Sequence, residues 1–131
     1  MIVIETSALA ALYRREAGYT HMLSAITAEE RRIVPASALV EFSLLRHIGA
    51  SRMNWLQELT LSLNLDVYPI NAEVAAAAVE AAHRFARGSR HAARLNFGDC
   101  LSYGVAKHLN APLLYKGSDF NHTDIESALP A

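Results

Sequence analysis

Short apolar segments without polar alternation recur along this chain, and each is followed by a stretch typical of a helix. The first is Ile2-Val3-Ile4, a β-branched run that suits a strand buried on both faces of a parallel sheet. The others lie at 32–35, 65–70 and 113–115. Strands that alternate with helices predict an α/β fold, in which right-handed crossovers place helices on both faces of a mostly parallel sheet.

Residues that begin helices stand after these segments. Thr6 and Ser7 are N-cap types before an alanine- and leucine-rich stretch, Ser37 is expected to cap the next apolar helix, and Asn71 precedes an alanine-rich run. Gly88 to Asn96 is expected to be a loop. The expected helices cover 8–12, 24–30 after the break at Gly18, the segment from Ser37 to Gly49, the segment after Ser51, 72–86 and 97–109.

Length and charge limit the class of protein. The chain has 131 residues, so we expect one domain over 1–131. The formal net charge of -1 gives no global basic field, so any nucleic-acid contact must be a local patch. A single cysteine, Cys100, rules out a disulfide framework within the chain, and no apolar run is long enough to span a membrane. Without a signal-peptide pattern at the N-terminus, we expect a cytoplasmic protein.

Acidic residues stand where the strands are expected to end. Glu5 follows the first strand, Asp119 follows the fourth after a glycine turn, Asp99 opens the last helix, and Glu41 lies in the helix after the second strand. Ligands of open parallel sheets collect at this edge. Two like charges 4 Å apart repel by about 4 kcal/mol at an effective dielectric of 20, and a bound cation removes that penalty. Oxygen ligands without histidine or cysteine predict Mg²⁺ or Mn²⁺, which could activate water against a phosphodiester.

Each acid also has an alternative, purely structural role. Asp99 could interact favourably with the dipole at the start of a helix whose N-cap is Asn96. Asp119 could stabilise a turn. Glu5 could be a plain strand-end acid. Glu41 could form an ion pair with Arg46, although a five-residue offset suits a helix pair poorly.

Several motifs together resemble a known family. They are MIVIETSAL at 1–9, the helix of Glu41, LNFGDC at 95–100, LLYKGSDF at 113–120 and TDI at 123–125. In order and spacing they resemble the PIN-domain ribonucleases, specifically the VapC-like toxins of type II toxin-antitoxin pairs. The resemblance implies a three-layer α/β/α sandwich with a sheet of about five strands. It also implies a magnesium-dependent endoribonuclease with a cognate antitoxin.

The resemblance also assigns site residues. It makes Glu5, Glu41, Asp99 and Asp119 the catalytic acidic quartet, with Glu5 and Asp99 as the main metal ligands. The supporting residues are Thr6, Ser7 and Ser118. The family usually has aspartate where this chain has Glu5, and often aspartate or asparagine where it has Ser118. We therefore favour one firmly held ion.

A basic strip lies between Glu80 and Asp99, where the chain has no acid. Arginine binds phosphate through paired donors, so this strip predicts contact with an RNA backbone. A solvated face, or a docking surface for an acidic antitoxin segment, remains an alternative. The arginines of the strip are Arg84, Arg87, Arg90 and Arg94.

Two other functions compete with the ribonuclease, and one assembly is expected. A phosphoacceptor domain would need an aspartate at the end of the third strand, where Val67 to Ile70 provides none. A catalytically weakened PIN-like module, acting by binding its antitoxin or RNA, stays open. Exposed apolar helix faces favour a homodimer.

Overall fold

The computed structural model describes residues 1–46, 51–86 and 88–129. Strands and helices alternate for most of the chain, as the sequence predicts. The helix that was expected to end at Gly49 already ends at Leu44, where Leu45 is extended, and Gly49 itself lies outside the described residues. In chain order the elements are β1 (Ile2–Ile4), α1 (Thr6–Arg14), α2 (Tyr19–Thr27), β2 (Arg32–Pro35), α3 (Ala36–Leu44), α4 (Arg52–Ser62), β3 (Asp66–Tyr68), α5 (Ala72–Phe85), α6 (Phe97–Leu109) and β4 (Leu113–Leu114).

The sheet is parallel throughout, in the order β3-β2-β1-β4. About five strands were expected, and the described residues form four. The fifth position is a single bridge between Leu113 and Ser127. There the Leu113 N–H donates to the Glu126 carbonyl, and the Ala128 N–H donates to the Leu113 carbonyl, each at 2.9 Å. Because β4 is only two residues long, its outer partner has little backbone to pair with.

Helices cover both faces of this sheet. Ile2 and Ile4 pack into a core with α1 to α4, whereas Val3 and Ile33 pack into a second core with α5 and α6. Both faces of β1 are therefore buried, which explains why its sequence does not alternate. The predicted α/β/α sandwich is confirmed.

Some predicted boundaries were wrong. Glu5, and not Thr6 or Ser7, is the N-cap of α1. Helix α3 follows β2 directly at Ala36, and the Ser37 hydroxyl has no hydrogen-bond partner there, so Ser37 caps nothing. Helix α2 begins at Tyr19, earlier than expected, and ends at Thr27. Strand β3 stops at Tyr68, since the following Pro69 has no N–H for the ladder.

Other predictions of local structure were confirmed. Asn71 caps α5, accepting at 2.9 Å from the Val74 N–H, and Asn96 caps α6. In the part of the chain that the structure describes, no helix is both long and apolar enough to cross a membrane. Because all four strands are parallel, the segments that follow them begin at one edge of the sheet, where a site can form.

Candidate active site

A cleft of about 410 Å³ opens at this edge of the sheet. All four acids predicted from the sequence line it, although they are far apart along the chain. Ser118 is exposed in the turn after β4 and does not lie on its wall. The predicted residues that line the cleft are Glu5, Glu41, Asp99, Asp119, Thr6 and Ser7.

Glu5 lies deepest, with only 3% of its surface exposed. It stands between β1 and α1, and its Oε2 accepts hydrogen bonds from the Ser7 N–H at 2.8 Å and from the Ser7 hydroxyl. Burial raises the pKa of the Glu5 carboxyl from 4.5 to about 7. The two hydrogen bonds from Ser7 oppose that rise, and the charges of Asp99 and Glu41 add to it. The three carboxylates therefore act on one another.

Ser7 connects Glu5 to the loop after β4. While its hydroxyl donates to Glu5, the Ser7 oxygen accepts from the Lys116 N–H at 2.9 Å. Next to Lys116, Gly117 turns the chain with φ +97°, and exposed Asp119 follows at the rim of the cleft. A serine at this position thus holds two walls of the cleft together.

Glu41 reaches the cleft from α3. Its Oε1 accepts from the Thr6 hydroxyl at 2.8 Å, so Thr6 and Ser7 serve different acids. A Cβ at Gly98 would lie 1.9 Å from Glu41 Oε2, so only glycine lets α6 approach this carboxylate. Sequence reasoning missed Gly98, although a glycine in the first turn of a helix was a visible signal. The ion pair with Arg46 is not found among the described residues.

Asp99 performs its structural role and lines the cleft as well. Its Oδ2 accepts from the Asn96 N–H at 3.0 Å, while Asn96 Oδ1 accepts from the Asp99 N–H at 2.8 Å. This reciprocal capping box fixes the carboxylate in the first turn of α6. The structural interpretation of Asp99 is confirmed, and its role as a metal ligand stays a prediction that its place on the cleft wall allows.

The donor set of the cleft suits a hard divalent ion. Its acids supply oxygen only, and no histidine or cysteine of the described residues lines it. Within 1–46, 51–86 and 88–129, however, no three histidine, cysteine, aspartate or glutamate side chains are arranged to hold one ion. Glu5, Glu41 and Asp99 are each held by a local donor of the protein. Magnesium usually takes only one or two carboxylates, with water and phosphate oxygens completing its shell.

The three described arginines of the basic strip do not line the cleft. Arg84 is 3.5 Å from an Asp124 oxygen, and its guanidinium stands 4.5 Å above the centre of the Phe85 ring. Arg90 and Arg94 line a separate pocket, and Arg87 lies outside the described residues. A run of charge along the sequence does not give the direction of the side chains, and none of these three described arginines lines the acidic cleft. Contact of the strip with RNA or an antitoxin stays a prediction.

The cations that do line the cleft are Arg14 and Lys116. Sequence reasoning missed both as site residues. Lys116 could have been found, because it lies two residues after β4 at the edge where the acids were expected. Arg14 ends α1, and only the folded helix brings it to the cleft.

The fold and the cleft place this chain among α/β proteins whose chemistry takes place between carboxylates at one edge of a parallel sheet. The family model of the PIN domain matches residues 2–126. The chain belongs to the PIN-domain family, which confirms the resemblance read from its motifs.

Its curated relatives are ribonucleases. Ribonuclease VapC30 of Mycobacterium tuberculosis is 38% identical over 133 residues, covering 98% of this chain and 100% of the relative. Ribonuclease VapC28 of the same species is 40% identical over 134 residues, with 98% of each chain covered.

Two solved structures share the fold at lower identity. The M. tuberculosis VapC20 toxin, which cleaves the sarcin-ricin loop, matches with a TM-score of 0.75 and 20% identity, covering 99% of this chain and 100% of that one. FitAcB from Neisseria gonorrhoeae matches with a TM-score of 0.68 and 17% identity, covering 97% and 96%. At these identities the likeness establishes the fold alone.

Proposed function

We propose that this chain is the endoribonuclease toxin of a type II toxin-antitoxin pair and hydrolyses RNA with one Mg²⁺ or Mn²⁺ held by Glu5 and Asp99. The observation that carries the proposal is the buried Glu5 carboxylate in one cleft with Asp99 and Glu41. Burial raises the pKa of Glu5, and the charges of the other two acids add to that rise. A fold has little reason to bury mutually repelling acids unless a cation joins them. The nearly full-length match to VapC ribonucleases supports the reaction.

In this proposal each residue of the cleft has a separate role. Glu5 and Asp99 would hold the ion from two different elements, and a bound ion would supply activated water and offset charge on the phosphate. Glu41, fixed by Thr6 and by the close approach of Gly98, is placed to accept a proton from the attacking water. Asp119 is the exposed acid at the rim, and Ser7 keeps Glu5 in position.

The wider setting is part of the same proposal. It comprises a cognate antitoxin, a cytoplasmic location, a homodimer and a single domain over 1–131. Exposed apolar side chains on α3 and α4 support a protein contact, since Val40, Leu44 and Leu61 are 60%, 73% and 79% exposed.

The test is cleavage of structured RNA by the purified chain in the presence of Mg²⁺ or Mn²⁺. We expect cleavage that EDTA abolishes and that Asp99→Asn lowers on the order of 10²-fold or more, because several kcal/mol of transition-state stabilisation depend on the ion. Asp66→Asn is the matched control, since Asp66 is exposed on β3 and does not line the cleft. Equal cleavage by Asp99→Asn and the wild-type chain would refute the assignment.

A further inference from the structure

Acids outnumber bases around the cleft. Besides the four predicted acids, Glu16 lines it, and the cations of its described wall are Arg14 and Lys116. A strand of RNA carries one negative charge per nucleotide, so the acids repel it wherever no cation intervenes. The position of the two cations therefore determines where a polyanion can enter.

Lys116 points from the acids toward the end of α1. Its backbone N–H is tied to Ser7 inside the site. Its ammonium lies 3.7 Å from a Glu16 oxygen and donates to the Ala17 carbonyl at 3.3 Å. Glu16 and Ala17 directly follow α1, so the charge of Lys116 lies on the same side of the cleft as Arg14.

Arg14 extends this cationic side away from the acids. It is the last residue of α1, and Thr6 is the first, so at 1.5 Å per residue their backbones are about 12 Å apart along the helix axis. Its exposed guanidinium donates to the Arg46 carbonyl at 3.2 Å and joins no ion pair among the described residues. A cation at this end also suits the helix dipole. That role would not require Arg14 to line the cleft.

We infer that Arg14 and Lys116 form a subsite for the RNA backbone, which binds phosphates beside the scissile one and leads the strand along α1. The inference rests on the proposed function, because it takes RNA as the substrate. Arg14 stands at the opposite end of α1 from Thr6, which bonds Glu41 of the quartet, so its guanidinium donors suit a phosphate beside the reacting one. In this inference Arg14 and Lys116 contact the RNA backbone at the cleft, and the arginines at 84, 90 and 94 do not.

The experiment measures binding without turnover. A fluorescently labelled single-stranded RNA of mixed sequence is titrated with the full chain in EDTA at several KCl concentrations, and fluorescence anisotropy gives Kd. Each lost phosphate contact lowers the slope of log affinity against log salt by about 0.7. We expect Arg14→Gln and Lys116→Gln each to lower this slope by about 0.7. Raising the salt from about 50 to about 200 mM weakens RNA binding. We expect this weakening to be about sevenfold smaller for the double variant than for the wild-type chain.

Two matched controls remove a charge elsewhere. Arg15 is exposed next to Arg14 and does not line the cleft, and Arg90 belongs to the strip. We expect Arg15→Gln and Arg90→Gln to retain the wild-type slope. Unchanged slopes in Arg14→Gln and Lys116→Gln, equal effects in the controls, or no binding by the wild-type chain at about 50 mM salt would each overturn the inference.

Cleavage in Mn²⁺ separates this inference from the proposed function. We expect the two cleft variants to raise KM while kcat stays near the wild-type value. If the wild-type chain binds through Arg14 and Lys116 but cleaves no RNA, the ribonuclease proposal fails and the subsite stands. If it cleaves RNA with the same KM in both variants, the subsite fails and the ribonuclease stands.

Discussion

Replacing Glu5 by glutamine should stabilise the metal-free protein at neutral and alkaline pH. Glutamine has nearly the same shape, and its carbonyl oxygen can still accept from the Ser7 N–H that now donates to Glu5 Oε2 at 2.8 Å. It removes the negative charge that is buried beside Asp99 and Glu41. The substitution therefore isolates the cost of that charge from the packing of the side chain.

The magnitude follows from the pKa of Glu5. A rise from 4.5 to about 7 on folding corresponds to about 3 kcal/mol against the ionised folded state, at 1.36 kcal/mol per pH unit. Between these pH values the folded chain keeps a proton that the unfolded chain has released, so stability falls as pH rises. The Glu5→Gln chain has no carboxyl group at this position, so its stability does not fall in this way. We expect Glu5→Gln to exceed the wild-type chain by up to about 3 kcal/mol at pH ~8, and the advantage to vanish below pH ~4.5.

Urea denaturation in EDTA at a series of pH values measures this difference. Glu58→Gln is the matched control, since Glu58 is exposed on α4, and it should leave the pH dependence of unfolding unchanged. A Glu5→Gln advantage that does not grow between pH ~4.5 and ~7 would refute the reasoning, as would a loss of stability at pH ~8.

Three other perturbations follow from the same contacts. Gly98→Ala places a methyl group 1.9 Å from Glu41 Oε2, so the flexible Glu41 side chain must move, and we expect at least tenfold slower RNA cleavage with little loss of stability in thermal melts. Asp124 is held by Tyr103 Oη at 2.6 Å and Lys107 Nζ at 2.9 Å. Burial raises its pKa, but these hydrogen bonds and the charges of Lys107 and Arg84 outweigh that effect and lower it to about 2. The ionised Asp124 should stabilise the folded chain by about 1 kcal/mol after solvent screening, and this contribution should be lost as pH falls from 3.8 through about 2. Asp124→Asn should remove this loss of stability from acid-unfolding curves. Saturating Mg²⁺ should stabilise the wild-type chain by about 2.7 kcal/mol at 100 times its Kd, and clearly less in Asp99→Asn; equal calorimetric shifts would contradict the ligand assignment.

The placement of the acids was predictable because topology determines it. Once Ile2–Ile4 and Leu113–Leu114 are parallel neighbours, Glu5 and the turn that carries Asp119 must start from one edge of the sheet. Asp99 was recognisable through Asn96, since a capping box is a local pattern. These features depend on period and spacing along the chain, which a sequence displays directly.

What escaped prediction depends on the direction of side chains. Nothing local shows that Glu41 would lie against Gly98, because that contact arises from how α3 and α6 cross. The split between Thr6, which serves Glu41, and Ser7, which serves Glu5, depends on the rotation of α1. The side chain of Arg84 points to Asp124, and its direction likewise depends on the rotation of its helix. An arginine that precedes Asp99 in the sequence is therefore not necessarily near it in space.

The acids of the cleft keep their positions through donors of their own: Ser7 for Glu5, Thr6 for Glu41 and Asn96 for Asp99. An ion would therefore meet carboxylates that protein donors already fix, although no three metal-ligating side chains of the described residues are arranged around one point. The repulsion among the acids remains, and it acts most on Glu5, which is the most buried of them. Metal affinity and metal-free stability must then oppose each other at Glu5, because the same negative charge that attracts the cation destabilises the fold without it.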